Sequence, residues 1–381
     1  MERTNAYSLL DFLDNSPCNF FATATIQRYL DDNGFQELKQ SERWNLEKGG
    51  KYYVKKNDTA IFGFVIGETP LDQSGFNMIS AHSDSPCFRI KPNPEMLADG
   101  VLKLNTEVYG GPILYTWFDR PLSLAGRVIV RNPQNPARPI TKLIDFASPV
   151  LIIPHLAIHF NRNVNAGNPL SKQKDMLPIA AIVSDSMSKN NFLIDQIKER
   201  LEIADSKDIL DFDLMLYNCQ KSQLVGFNKE FICSGRIDDL SMAHAALSAL
   251  LNSNNPATTK VMAIFDNEET GSGTKQGAAS PVLASILHRV STCMGLDDEG
   301  FYQALSRSFL VSADNAHAAH PNYPEKYDPT NHPKMGGGPV IKINANCKYM
   351  TDAHSSAIFK EVCHAANVPC QYFVNHSDVA G

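Results

Sequence analysis

The stretch KVMAIFDNEETGSG, Lys260 to Gly273, decides how the rest of the chain is read. A short apolar run, KVMAIF, has the length and composition of a buried strand. It feeds straight into two adjacent carboxylates, Glu268 and Glu269, and then into Gly-x-Gly. Helical patterns flank it. Asp238 to Leu251 places Leu240, Ala243, Leu247 and Leu250 on one side, and Gln276 to Val290 reads as a second helix. A strand at Ser308 to Ser312, another at Gly338 to Ile343 and a helix at Asp352 to Ala366 continue the alternation. Strands alternating with helices predict an α/β fold, a doubly wound central sheet flanked by helices. Ligand sites in such sheets lie at the carboxyl ends of the strands.

The N-terminal third has the same character. Residues 4–33 form an amphipathic helical start broken at Asn15-Ser16-Pro17, and strand-like runs follow at Ala60 to Ile66 and Phe76 to Ser80. From residue 93 the pattern changes. Val101 to Val108, Ile113 to Phe118 and Ser123 to Arg131 alternate or run apolar between Gly and Pro, with one helical stretch at Asn191 to Ile203. The expected organisation is therefore discontinuous: 1–92 and 232–381 form an α/β domain, and 93–231 a β-rich insertion.

Composition narrows the function classes. The 381 residues carry a formal charge of -6, with 43% hydrophobic and 20% charged side chains. These are values of a globular protein with a large core. No basic footprint points to nucleic acid or an anionic membrane, and no apolar run is long enough to span a bilayer. The eight cysteines are scattered without a C-x-x-C pair, which fits a reduced, cytoplasmic protein.

Four motifs sit at predicted strand ends or helix starts. In SAHSDSP, His82 is a candidate metal ligand, and Asp84 can bond its other ring nitrogen and fix the tautomer. In GRIDDL, Asp238 or Asp239 can cap the helix, or Asp238 can bridge two cations roughly 3.5–4 Å apart. In FDNEETGS, one carboxylate can bind a cation while its neighbour acts as a base. The assignment is Glu269 as ligand and Glu268 as general base toward a water activated by the metals. In VSADNAHAAHPNY, Asp314 ends a strand as a further candidate ligand. The i, i+3 spacing of His317 and His320 suits a metal pair on a helix, but Pro321 and Asn322 favour a loop. His317 is read as a substrate contact, with a structural role for His320. Carboxylates and imidazole together suit two zinc ions, with manganese or cobalt as alternatives.

SAHSDSPCFRIKP, SGRIDDL, FDNEETGSGTKQGA, SADNAHAAHPNYPEKYDP, GPVIKINANCKY and IPHLAIHFNRNVN resemble successive blocks of the aspartyl aminopeptidase family, a group of zinc metallo-aminopeptidases with a co-catalytic two-metal site. The resemblance implies a zinc-exopeptidase-like catalytic domain interrupted by a β-rich dimerisation domain. It implies assembly into a tetrahedral dodecamer and removal of N-terminal Asp or Glu from peptides. By position, one metal falls to His82, Asp238 and Asp314, the other to Asp238, Glu269 and a further histidine. That histidine belongs to a Met-His-Ser block which, in the family, follows the region matching Asn375 to Asp378; the sequence ends at Gly381 before it. His159 resembles a histidine that a neighbouring subunit lends to the active site. Lys342 resembles the lysine that pairs with the acidic side chain of the substrate; by the residues alone it reads as a strand-surface lysine. Two other readings remain: a catalytically impaired assembly or scaffold protein on the same fold, and a two-metal exopeptidase of other specificity.

Overall fold

In a computed structural model the chain is described over residues 2–183, 190–253 and 257–379. The outer limits of the expected catalytic domain, residues 1 and 381, lie outside them. The chain divides into two compact units, one up to Asp314 and one from Asn315 onward.

The first unit begins with α1 (Glu2–Asp14), α2 (Asn19–Asp32), β1 (Gln36–Glu37), β2 (Lys51–Lys56), β3 (Ala60–Val65), α3 (Leu71–Ser74) and β4 (Phe76–His82). The strand-rich middle follows, with β5 (Cys87–Ala98), β6 (Val101–Tyr109), β7 (Leu122–Val130), β8 (Ile140–Asp145), β9 (Ile179–Ile182), α4 (Phe192–Arg200), β10 (Ile209–Asn218), β11 (Gln223–Val225) and β12 (Phe231–Cys233). The unit closes with α5 (Ile237–Leu251), β13 (Thr259–Phe265), α6 (Val282–Cys293), α7 (Asp298–Ser306) and β14 (Phe309–Ser312).

The first sheet has the order β1-β2-β3-β13-β4-β14 and is mixed. β13 runs antiparallel to β3 but parallel to β4, which in turn runs parallel to β14. Both faces are covered. Phe62, Phe64, Val261 and Phe265 pack with Ile286 and Val290 of α6 on one side, and Ile61, Met262 and Ile264 pack with Leu240, Leu247 and α2 on the other. A strand buried on both faces reads as a continuous apolar run, which is why KVMAIF shows no alternation. The second sheet, β8-β7-β10-β5-β6-β9, has antiparallel neighbours throughout and its own core around Phe88, Leu124 and Leu214. A small cluster of Cys18, Phe20, Ala125 and Met215 joins it to α2.

Several expected boundaries move for identifiable reasons. The change at residue 93 falls inside β5, not before it. The register against β6 shifts between Ile90 and Glu95, where Pro92, Pro94 and a left-handed Asn93 form an irregularity within one strand. Ile113 to Phe118, expected extended, holds a 3-10 turn at Leu114–Trp117, with Trp117 packed edge-on against Phe88 at 4.9 Å. The helix expected from Gln276 begins only at Val282. Gln276 spends its amide on Asn267, and Gly277 lies so close to the Ser272 carbonyl that no side chain fits.

The second unit contains β15 (Val340–Ile343) and β16 (Gln371–Val374), paired in parallel, and α8 (Ala353–Ala365), started by a capping box from Asp352. No helix among the described residues is long and apolar enough to cross a membrane.

Candidate metal centre

Three parallel neighbours of the first sheet bring their carboxyl ends together. In register, Phe265 lies opposite His82, and Ser312 opposite Ser80. The exits are tied to one another: Ser83 N–H donates to the Phe265 carbonyl and Ala313 N–H to that of Ser80, each at 2.8 Å. The chain leaving β13 turns through Asn267, left-handed at φ 62°, so that Glu268 and Glu269 face back across the strand ends. The fourth contributor is the entry to α5. Arg236 is left-handed, the Asp238–Asp239 peptide is cis, and Asp238 and Asp239 have non-helical dihedrals. Ser85 Oγ donates to the Asp238 carbonyl at 2.7 Å and holds this entry against the β4 exit.

His82 is the hub. Its Nε2 lies 3.4 Å from Asp238 Oδ1 and 3.9 Å from each of Asp239 Oδ2, Glu268 Oε2 and Asp314 Oδ1. Ligand atoms of His82, Asp238, Asp239 and Asp314 all fall within 4.8 Å of one another, and so do those of His82, Glu268 and Glu269. Two ligands about 2.1 Å from one zinc ion lie up to about 4.2 Å apart, and the separations of His82 Nε2 from Asp238 Oδ1, 3.4 Å, and from Asp314 Oδ1, 3.9 Å, fall inside that span.

Asp84 sets the ring of His82. It is buried, and its Oδ1 and main-chain carbonyl lie 3.2 and 3.0 Å from His82 Nδ1. The other nitrogen is thereby left to the cluster. The same carboxylate accepts from Tyr109 Oη and from the backbone N–H of Glu268 and Glu269. Burial alone would raise the Asp84 carboxyl, but the bonds from His82 and Tyr109 outweigh it and hold it below its usual range.

The rest of the cluster is short of positive charge. Burial pushes the Asp239 carboxyl up to about 8 and that of Glu269 up to about 7, and it raises Glu268 as well. Burial works against a charged His82 ring, yet Asp238 and Asp84 push it up to about 11. A cation placed among these groups would favour their ionised forms, and metal binding releases protons from such ligands. Imidazole nitrogen and carboxylate oxygens around one open point form a donor set for a divalent ion of the zinc type.

The structure brings together His82, Asp84, Asp238, Glu268, Glu269 and Asp314. His159 stands apart from this cluster, exposed on the 3-10 turn Ile158–Phe160. Lys342 and His317 belong to the second unit. Lys342 is half-buried on β15 and donates to the Asn315 carbonyl at 3.0 Å. His317 is exposed on irregular backbone, its ring 6.1 Å from that of Phe373. The irregular backbone bears out the loop over the helical pair: His320 Nδ1 accepts from the Asn322 N–H instead.

Sequence reasoning gave Asp239 only a capping alternative and missed Tyr109. Asp239 is fully buried and its Oδ2 accepts the His82 N–H at 3.2 Å. The doubled acid in GRIDDL was its only signal. Tyr109 had none, being one aromatic at the end of a strand that belongs to the other sheet.

The Aminopeptidase I zinc metalloprotease (M18) family matches residues 12–381. A Clostridium novyi protein named probable M18 family aminopeptidase 2 is 52% identical over 377 residues, covering 99% of this chain and 87% of that protein. A cryo-EM structure of an Ape4–Nbr1 complex superposes with a TM-score of 0.94 at 35% identity, over 100% of this chain and 76% of the other. The S. cerevisiae mApe1 dodecamer gives 0.84 at 25% identity, over 97% and 84%. With the match running over nearly all of its length, the chain belongs to the M18 family of zinc metalloproteases and is an aminopeptidase.

Proposed function

We propose that the chain removes an N-terminal Asp or Glu from peptides, with Glu268 as general base beside two divalent ions, most simply zinc. The observation that carries this reading is the ring of carboxylates around His82 Nε2. In this reading His82, Asp238 and Asp314 hold one ion, and Asp238 and Glu269 contribute to the other. Bound there, divalent ions supply Lewis acidity toward a peptide carbonyl and toward water.

The side chains do the rest. Glu268 is half-exposed and its carboxyl is raised by burial, so it can take a proton from the attacking water and return it to the leaving amine. Asp84 holds the His82 ring in the tautomer that presents Nε2. Lys342 carries the cation that an Asp or Glu side chain of the substrate requires, and His317 contacts the substrate.

The 93–231 region is proposed as the dimerisation unit, with His159 reaching the active site of a neighbouring subunit and the dimers building a tetrahedral dodecamer. Ile113, Leu156, Ile158, Phe160 and Ile182 expose large apolar surfaces on this region, as interfaces between copies do. All eight cysteines are free, which fits the cytoplasm.

The test is a panel of Asp-, Glu-, Leu- and Lys-linked chromogenic amides hydrolysed by the zinc-loaded protein. Faster turnover of the acidic pair supports the reading. Equal or preferred cleavage of the Leu amide refutes the specificity and leaves a two-metal aminopeptidase of another preference.

A further inference from the structure

The four donors to Asp84 come from three parts of the chain. His82 ends β4, and the Glu268–Glu269 backbone belongs to the turn that follows β13. Tyr109 ends β6 of the second sheet, opposite Cys87 in register and so one strand away from Asp84 itself. Its hydroxyl donates to Asp84 Oδ2 at 2.6 Å, shorter than the 3.2 Å from each glutamate N–H.

The same hydroxyl is held from behind. Asn267 Nδ2 donates to it at 2.8 Å, and Asn267 Oδ1 accepts from Gln276 Nε2 and Thr274 Oγ1, each at 2.8 Å. The strand end is also pressed onto the acidic loop. At Gly110, φ 70°, an added Cβ would come within 3.0 Å of the Glu269 Cβ. A phenol that both donates to a buried carboxylate and accepts from a fixed amide has one orientation open to it.

We propose that Tyr109 is a positioning residue of the metal centre, through which the inserted β-sheet fixes Asp84 and, with it, the His82 ring and the Glu268–Glu269 backbone. This rests on the reading that the His82 cluster holds the ions. Asp84 has two oxygens and four donors to serve. Without the Tyr109 hydroxyl, Oδ2 keeps only the longer bond from the Glu269 N–H, and the orientation of the carboxylate toward Nδ1 is less tightly held. A group that bonds a ligand directly, as Asp84 does His82, is worth about 10–100-fold in metal affinity, and Tyr109, one bond further out, acts through it.

The experiment measures zinc affinity of the full chain by competition with a chromogenic chelator, for the wild type and for Tyr109→Phe, Tyr109→Leu and His82→Ala. The expected result for Tyr109→Phe is measurably weaker affinity, by up to about tenfold, the lower end of what losing a ligand's direct partner costs. Its kcat should be restored by excess zinc, with KM for peptide and the far-UV circular dichroism unchanged.

Wild-type affinity in Tyr109→Phe overturns the proposal. If Tyr109→Leu alone then loses affinity, the ring acts by packing and not through its hydroxyl. Should Tyr109→Phe fail to fold, Asn267→Gly removes the amide that aims the hydroxyl, at a position whose dihedrals suit glycine. It should weaken zinc in the same direction, and unchanged affinity there overturns the proposal equally. His82→Ala separates the two levels. Undiminished zinc binding in that variant sinks the metal-centre reading itself, whereas loss in His82→Ala with no change in Tyr109→Phe sinks only the role of Tyr109.

Discussion

Within the acidic cluster, chemically similar side chains are made different by what surrounds them. Asp84 and Asp239 are both buried, but Asp84 accepts four hydrogen bonds and is held low, whereas burial keeps Asp239 high. Glu268 and Glu269 are neighbours whose backbones bond the same carboxylate while their side chains face the cluster. Glu268→Gln keeps that backbone bond and the side-chain volume but cannot accept a proton. It should bind zinc as the wild type does and lose about 10²–10⁴-fold in kcat; parallel metal counts and steady-state kinetics check this, and near-normal turnover would remove Glu268 from the mechanism. Lys342→Ala should raise KM for Asp and Glu amides by about tenfold or more and leave Leu amides unchanged. An equal rise for both would refute the pairing.

Three parallel strands, β13, β4 and β14, carry the site at their carboxyl ends because each is locked in place by its flanks. Phe62 on β3 is fully buried and meets Phe265 edge-to-face at 5.3 Å, one residue before the acidic loop starts. Phe62→Ala leaves a cavity there and should destabilise the first unit by about 3–5 kcal/mol, read from urea denaturation. The loop itself is set by Asn267 and Gly271, both left-handed, and by Asp266, which is buried and accepts from Asn19 Nδ2 at 3.0 Å and from the Asn267 N–H at 2.8 Å. In the sequence the strand was legible as an apolar run ending in acids. The direction in which those acids turn was not, since it depends on partners from α2 and from the loop near Gln276.

For the molecule as a whole, the site is assembled from residues 82 to 314, and its acids repel one another until a cation joins them. Dialysis against a chelator should abolish peptidase activity and lower the thermal midpoint, and added zinc should restore both. An ion that binds only the native state, at about a hundred times its Kd, contributes about 2.7 kcal/mol; a midpoint indifferent to chelation would mean that the cluster holds no ion. By itself, the sequence determined the α/β class, the strand-rich middle and the acids and histidine of the cluster, because strand periodicity and clustered metal-type side chains are local properties. Tertiary structure alone decided that Asp239 joins the cluster, that the β5 irregularity lies within one strand, and that Tyr109 reaches Asp84 from another sheet. Each of these depends on a contact between residues far apart in the chain, and such contacts leave no mark in the order of neighbours.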